Sequence, residues 1–437
     1  MEDSRAGGSG RHLRKVITVR HAVAIYISSV LGAGILVIPG LAARTAGPAS
    51  LVAWVLLSLS SYPFAYTFAT LSARRPDSGG IYSFAKESFG PKLSAMTAWL
   101  FVSFTVFGAP AITLAAGSYV AFSFQMTKPE IFVAALAIVL MAYFINFQGI
   151  RLSGRVQVAV VAMIILLLVS GVVASSTRVV AANFTPFFPD GIASIGVASA
   201  LIVWSYFGYE NVSNIAEEFK DPKRDFGRSV TLSVLVIAAL YLSVAFTIIG
   251  TGAYNSGGGI TPFAELLTNA FGAYGGWLVS ILAVVIIFGT VNAYTAGIAR
   301  VVYAAARDGA LPSALGTVDQ KTGVPRRALL VLLVLILLSF LAYFYFQIDI
   351  ETGFLTTSGA VMLTYVIGSS AGVRMLKGTG TRWALPWISL LISLAILPFL
   401  GVLLVPSVVP AGLGLVYSWT KSRHRASLAA GSRGERV

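Results

Sequence analysis

Gly32-Ala33-Gly34-Ile35 lies in the middle of the first long apolar segment of this chain, residues 21–43. The segment is long enough to cross a bilayer as one helix. A glycine pair weakens a helix, and a backbone amide freed at that depth finds no water. Such a break is tolerated only where it is buried in protein or lines a cavity. The stretch therefore predicts a discontinuous membrane helix beside a buried cavity.

The composition is typical of an integral membrane protein. Of the 437 residues, 57% are hydrophobic and 11% are charged, which is more apolar surface than a soluble domain of this size needs. Cysteine is absent, so disulfides and cysteine-based metal or redox chemistry are excluded. The three histidines, His12, His21 and His424, lie at the edges of the apolar segments. We expect an all-α polytopic protein that is not an enzyme and uses no cofactor and no metal.

Twelve apolar runs of about 17–25 residues predict twelve transmembrane helices. All but three of the 31 Lys and Arg residues fall on one side of these runs, the exceptions being Arg44, Lys128 and Arg178. Because cytoplasmic loops carry the excess of basic residues, we expect both termini in the cytoplasm. The net charge of +14 is therefore a topology signal and not a nucleic-acid footprint. The predicted spans are 21–43, 49–72, 95–122, 131–149, 154–175, 192–214, 230–252, 276–303, 328–346, 352–373, 383–400 and 402–419.

A second glycine interruption, at Gly208, occurs in span 6. It lies five spans after the first, and an odd repeat length turns the second copy upside down in the membrane. We therefore predict inverted repeats at about 21–175 and 192–374, within a transport core of residues 21–374. We expect residues 1–20 and 421–437 to form cytoplasmic tails, and residues 375–420 to form two accessory helices.

The break in span 1 has the chemistry of a receptor for a zwitterion. The amides of Ala33, Gly34 and Ile35 would begin the second half-helix and present its positive end to a carboxylate. The carbonyls that end the first half, around Val30, suit an ammonium group. Small residues are also common where membrane helices pack closely, so packing at Gly32 and Gly34 is the alternative.

Span 6 places its glycine among large aromatic residues and beside an acid. Glu210 is the one carboxylate of the sequence at membrane depth, since the others fall in tails, loops or span edges. An embedded acid is costly and is a functional hypothesis by default, so Glu210 is a candidate for carrying a coupling proton. The alternative is a carboxyl group that accepts hydrogen bonds from unwound backbone amides. Trp204 is either a cover for a substrate or ordinary packing.

Two further spans contain features that can shape a side-chain pocket. Asn292 and Tyr294 are polar residues of span 8, and because they are two apart they do not share a helix face. At most one of them points straight into a cavity. Gly108, beside Pro110 in span 3, leaves a dent between larger residues. A proline kink that serves only helix packing is the alternative.

Five motifs, in order along nearly the whole chain, resemble signatures of the amino acid–polyamine–organocation transporter superfamily. They are Gly32 to Ile35 in span 1; Pro76, Ser78, Gly79, Gly80 and Tyr82 in the following loop; Trp204, Gly208 and Glu210 in span 6; Glu217, Glu218 and Pro222 after it; and Arg300, Tyr303, Ala306, Arg307, Asp308, Gly309 and Pro312 after span 8. The resemblance implies the five-plus-five inverted-repeat (LeuT-like) fold with discontinuous helices 1 and 6. It also implies transport by alternating access.

The resemblance implies a substrate site at the two breaks. The substrate carboxylate would lie on the amides of Ala33, Gly34 and Ile35. The amino group would meet carbonyls near Val30 and Phe207.

The resemblance implies further roles for three side chains. Trp204 aligns with an aromatic residue that covers the substrate, and Tyr294 with a span 8 aromatic residue that touches it. Glu210 aligns with a carboxylate tied to gating or proton coupling. Many proton-coupled members carry a lysine in span 5, and span 5 has none here, which leaves Glu210 as the candidate for the proton.

The narrower resemblance is to bacterial exporters of methionine and branched-chain amino acids, carried by Ser29 to Gly34 in span 1, by residues 99–103 and by Asn292 to Tyr294. We expect a secondary transporter of neutral, hydrophobic L-amino acids in the bacterial cytoplasmic (inner) membrane, coupled to protons and working as an exporter. An uptake permease, an exchanger or a sensor that binds without translocating are the alternatives. The expected partners are the amino-acid substrate, the proton and the lipid bilayer, with no nucleic acid.

Overall fold

The computed structural model describes residues 19–74, 79–149, 154–209 and 222–434, and within these ranges the chain forms α-helices and short 3₁₀ turns without a β-strand. The predicted N-terminal tail, up to residue 18, lies outside the described residues. The helices are α1 (Val19–Val30), α2 (Gly34–Ala46), α3 (Ser50–Arg74), α4 (Ile81–Phe89), α5 (Pro91–Phe124), α6 (Lys128–Phe147), α7 (Gly154–Ser175), α8 (Ala193–Tyr206), α9 (Pro222–Thr251), α10 (Pro262–Phe271), α11 (Ala273–Asp308), α12 (Arg326–Tyr345), α13 (Ile350–Met375), α14 (Ala384–Ile396) and α15 (Val405–Gly434).

Nine helical stretches in the described part of the chain are long and apolar enough to cross a membrane. Two of them, Gly34–Arg74 and Gly380–Lys421, are 41 and 42 residues long, about twice the ~20 residues that one crossing needs. The first is interrupted by a 3₁₀ turn at Gly47–Ala49, and the second bends at Gly401, whose φ is +51°. This architecture is that of a polytopic membrane protein, as the composition predicts.

The helices differ in how far they are enclosed. α5 packs against α4, α6, α11, α12, α13 and α15, so it forms the centre of the fold. In α2, every residue except Arg44 and Thr45 is buried. The peripheral helices leave large apolar side chains exposed, such as Leu166 on α7 and Leu341 on α12. Outward-facing leucines of this kind suit lipid tails, which are as apolar as the side chains themselves.

A close backbone contact holds α2 against the loop that follows α9. A Cβ built on Gly40 would lie 2.1 Å from the carbonyl oxygen of Gly259. Gly259 has a φ of +71° and sits in the 3₁₀ turn Gly257–Gly259, a backbone conformation that favours glycine. The two backbones therefore meet at a distance that only glycine at position 40 permits.

We predict that Gly40→Ala lowers the stability of the protein, because its Cβ would meet a backbone oxygen that cannot rotate away. Overpacking of this kind costs about 1–3 kcal/mol. The melting temperature of the purified protein in detergent measures the effect. Gly297→Ala is the matched control: it lies within α11, its Cβ would meet nothing within 4 Å, and alanine favours a helix. Equal melting temperatures for the two variants would contradict the close contact.

Candidate functional site

The first apolar segment is broken where its glycines are. α1 ends at Val30 and α2 begins at Gly34. The Leu31 amide still donates to the carbonyl of Ile27 at 2.7 Å, but the Gly32 amide turns back to the carbonyl of Val30, also at 2.7 Å. The helix therefore ends in a tight turn.

The second half-helix begins with unpaired amides. The amide of Leu36 donates to the carbonyl of Ala33 at 3.1 Å. Those of Ala33, Gly34 and Ile35 donate to no acceptor among the described residues. Amides at the start of a helix have no partner within the helix, and together with the helix dipole they favour an anion. The backbone here can therefore receive a carboxylate.

The second break lies at the end of α8. α8 ends at Tyr206, Phe207 is extended with a ψ of 134°, and Gly208 has a φ of +132°. That φ is strongly unfavourable for any residue with a Cβ, so the glycine permits the chain to leave the helix. Glu210 lies outside the described residues, and its role stays a prediction.

One buried hydroxyl serves both breaks. The Tyr241 hydroxyl on α9 donates to the carbonyl of Val30 at 3.1 Å and to that of Ser205 at 2.8 Å. Its ring is fully buried and lies edge-on to Trp54 and Tyr206, with centroid distances of 5.4 and 5.0 Å. A single proton is thus shared by the carboxyl ends of two half-helices. The Val30 carbonyl that the sequence predicts for an ammonium group already accepts this bond and the one from the Gly32 amide, which together occupy the two lone pairs of a carbonyl oxygen.

Trp204 spans the gap between α2 and α5. A Cβ on Gly34 would lie 2.7 Å from its Cδ1, and a Cβ on Gly108 would lie 2.8 Å from its Cη2. Phe104 stacks on the indole at a centroid distance of 5.5 Å, and Phe354 meets it edge-on at 5.0 Å. The indole therefore occupies the space that two glycines leave open, and two aromatic rings fix its orientation.

A cavity of about 40 Å³ lies beside Trp204, between α5 and α11, and Ile336 of α12 completes its wall. The residues that line it on α5 and α11 are Phe104, Thr105, Gly108, Ala109, Ile112, Thr290, Val291, Tyr294 and Thr295. None of them is charged. Among the predicted site residues, the structure brings Trp204, Gly108 and Tyr294 to this cavity.

The cavity adjoins both breaks without including their backbone. A Cβ on Gly32 would lie 3.6 Å from Cγ2 of Thr290, which lines the cavity. Phe207 packs against Phe104 and Tyr294, with ring centroids 4.8 and 6.1 Å apart. The arrangement gives a polar backbone region at the breaks and an apolar side-chain region next to it.

Asn292 and Tyr294 point to different neighbours. The Asn146 side chain on α6 donates through Nδ2 to Oδ1 of Asn292 at 2.8 Å. Asn292 is therefore held at the α6–α11 contact, and Tyr294 is the one of the two that lines the cavity. In the part of the chain that the structure describes, no group of three or more acidic or histidine side chains could hold a metal ion.

The sequence analysis does not name four residues of the site: Phe104, Tyr241, Thr290 and Ile336. Two of them have a signal that could have found them. Phe104 lies four residues before Gly108, and residues at this spacing share a helix face. Thr290 falls within the polar patch that contains Tyr294. Tyr241 and Ile336 carry no local signal, because each is one more large residue in an apolar helix.

Comparison with known proteins finds one matching family and several similar chains. The family described as amino acid permease matches residues 17–421. The chain is 32% identical over 416 residues to the uncharacterized amino acid permease YecA of Bacillus subtilis (strain 168), covering 95% of this chain and 98% of the relative. It is 26% identical to the L-methionine/branched-chain amino acid exporter YjeH of Escherichia coli (strain K12), covering 84% and 87%. It is also 26% identical to the branched-chain amino acid permease BcaP of Bacillus subtilis, covering 74% of each chain.

We predict that Tyr241→Phe destabilises the protein, since it keeps the ring but removes the hydroxyl that donates to the buried Ser205 carbonyl and to the Val30 carbonyl, which would keep only the Gly32 amide. Leaving buried acceptors unsatisfied costs about 1–3 kcal/mol. Thermal unfolding of the purified protein measures the loss. Tyr345→Phe removes a hydroxyl from a side chain that is 81% exposed and is expected to change stability by no more than about 0.5 kcal/mol. A Tyr241→Phe protein as stable as the Tyr345→Phe protein would refute the shared bond.

Proposed function

Since this chain belongs to the amino acid permease family of the amino acid–polyamine–organocation superfamily, we propose that it moves neutral, hydrophobic L-amino acids across the cytoplasmic membrane by alternating access. The proposal includes a twelve-helix topology with a five-plus-five inverted repeat, in which the breaks at residues 31–33 and 207–209 are equivalent positions. Two glycine-containing breaks on separate helices, joined by Tyr241, support this arrangement.

The observation that carries the proposal is the pairing of a polar backbone site with an apolar cavity. Unpaired amides of Ala33, Gly34 and Ile35 suit the substrate carboxylate, as helix N-termini suit anions generally. The carbonyls of Val30 and Phe207, at the ends of α1 and α8, are proposed to receive the ammonium group, which at Val30 would take the place of the Gly32 amide or the Tyr241 hydroxyl. Every L-amino acid has these two groups, so this part of the site recognises amino acids in general and does not distinguish one from another.

The cavity beside Trp204 selects the side chain. Its walls are aromatic and aliphatic, with threonine hydroxyls and no charged group. A charged side chain of a substrate would be desolvated there without a partner. That costs far more free energy than the burial of an apolar side chain gains. Lysine, arginine, aspartate and glutamate are therefore poor substrates in this proposal, and apolar side chains such as those of leucine and methionine match the chemistry of the cavity walls.

Export and proton coupling are the finer parts of the proposal. The Escherichia coli relative is named an exporter of methionine and branched-chain amino acids, which supports export. The Bacillus subtilis relative named a branched-chain permease makes uptake the alternative, and the direction of net flux in oriented vesicles decides between them. Glu210 is proposed to carry the proton, because the sequence has no other acid at membrane depth.

We predict that reconstituted protein exchanges radiolabelled L-leucine in a counterflow assay, with competition by neutral apolar amino acids and none by L-arginine or L-glutamate. Gly34→Ala is expected to lose exchange, because its Cβ displaces the Trp204 indole from its place. Gly412→Ala on α15, where a Cβ meets nothing within 4 Å, serves as the matched control and keeps it. Binding without exchange would instead indicate a sensor, and preference for L-arginine would overturn the neutral-substrate assignment.

We also predict that Glu210→Gln flattens the pH dependence of transport, because the amide cannot release a proton at any working pH. The measurement is the initial rate of uptake into proteoliposomes between about pH 5 and pH 8. Glu265→Gln, which removes a carboxylate of α10 bonded to Ser256, should keep the wild-type profile. An unchanged profile in Glu210→Gln would exclude this residue as the proton carrier.

A further inference from the structure

α12 lies at the edge of the fold and still reaches the cavity. Its outward residues Leu330, Leu338 and Leu341 are more than half exposed. Ile336 is 1% exposed and lines the cavity between α5 and α11. This isoleucine is the one residue of α12 among those that line the cavity.

Trp204 and Ile336 line the cavity from helices that pack against different neighbours. α8, which carries Trp204, packs against α2, α3 and α13, whereas α12 packs against α5, α6 and α11. α5 and α11 pack extensively on each other and form the side walls. The breaks that suit the substrate backbone lie on the Trp204 side, since Gly34 contacts its indole. A side chain that starts at the breaks and enters the cavity therefore points toward Ile336.

We propose that Ile336 determines substrate specificity by closing the far end of the cavity and so setting the longest side chain that fits. This proposal rests on the proposed function, because it takes the cavity to be the place of the substrate side chain. Isoleucine suits the role because its branched Cβ restricts χ1, which makes the end wall stiff. Protein interiors are packed closely enough that one extra methylene is felt, so the limit is expected to be sharp.

The test uses linear L-amino acids with side chains of increasing length: 2-aminobutyrate, norvaline, norleucine and 2-aminoheptanoate. Apparent affinities come from thermal shifts of the purified full-length protein. In the wild type, affinity should rise about fourfold per methylene up to a limiting length and then fall. Ile336→Ala should move that limit to a longer side chain, with at least about tenfold tighter binding of the first compound beyond the wild-type limit. Ile336→Phe should move the limit to a shorter one.

Leu332→Ala is the matched control. Leu332 is 1% exposed on the same helix, one turn from Ile336, but does not line the cavity, so its truncation should leave the limit unchanged. The proposal is overturned if neither Ile336 variant moves the limit, or if Leu332→Ala moves it equally. A wild-type protein stabilised by none of the neutral compounds would refute the proposed function itself, and the role of Ile336 with it.

Discussion

Two helices of this protein, α1 and α8, end in its buried interior, and one phenol proton lies between carbonyls at their ends. A helix end in a low-dielectric interior leaves acceptors that water cannot reach, and each unsatisfied group costs free energy. Tyr241 meets this cost for Val30 and Ser205 together. The Val30 carbonyl also accepts from the Gly32 amide, so its two lone pairs are both occupied. One hydroxyl on α9 thus ties the ends of two helices together.

The second constraint is steric. The indole of Trp204 fits between α2 and α5 because neither Gly34 nor Gly108 has a side chain there. Phe104 stacks on the indole and Phe354 packs edge-on against it. The backbone site and the side-chain cavity thus share one wall, and a ligand that fills both must contact that indole. In the proposed mode of binding, the groups that recognise the amino-acid backbone and those that select the side chain are adjacent for this reason.

The sequence predicts those features of the fold and the site that depend on residues close together in the chain. Glycines inside an apolar run predict the break at Gly32 to Gly34, and most apolar runs predict helices whose ends lie close to those observed. The exceptions are α8, which ends at Tyr206 and not at 214, α9, which begins at Pro222 and not at 230, and α15, which ends at Gly434 and not at 419. Tyr241 escapes prediction because its acceptors are 36 and 211 residues away in the chain. Ile336 escapes it because nearly every residue around it is apolar as well. Which face of a lipid-exposed helix turns inward is decided by its neighbours, and no pattern within α12 shows it.

The contacts of Trp204 also have an evolutionary consequence. Positions 34, 108 and 204 share one fixed volume, so a change at one alters what the other two tolerate. Loss of the indole would release both glycine positions to drift toward alanine or serine, and restoring the tryptophan would then be blocked by the side chains acquired meanwhile. Descendants of this protein are therefore expected to vary at these three positions as a set, and a lineage that leaves the tryptophan state is unlikely to return by single substitutions.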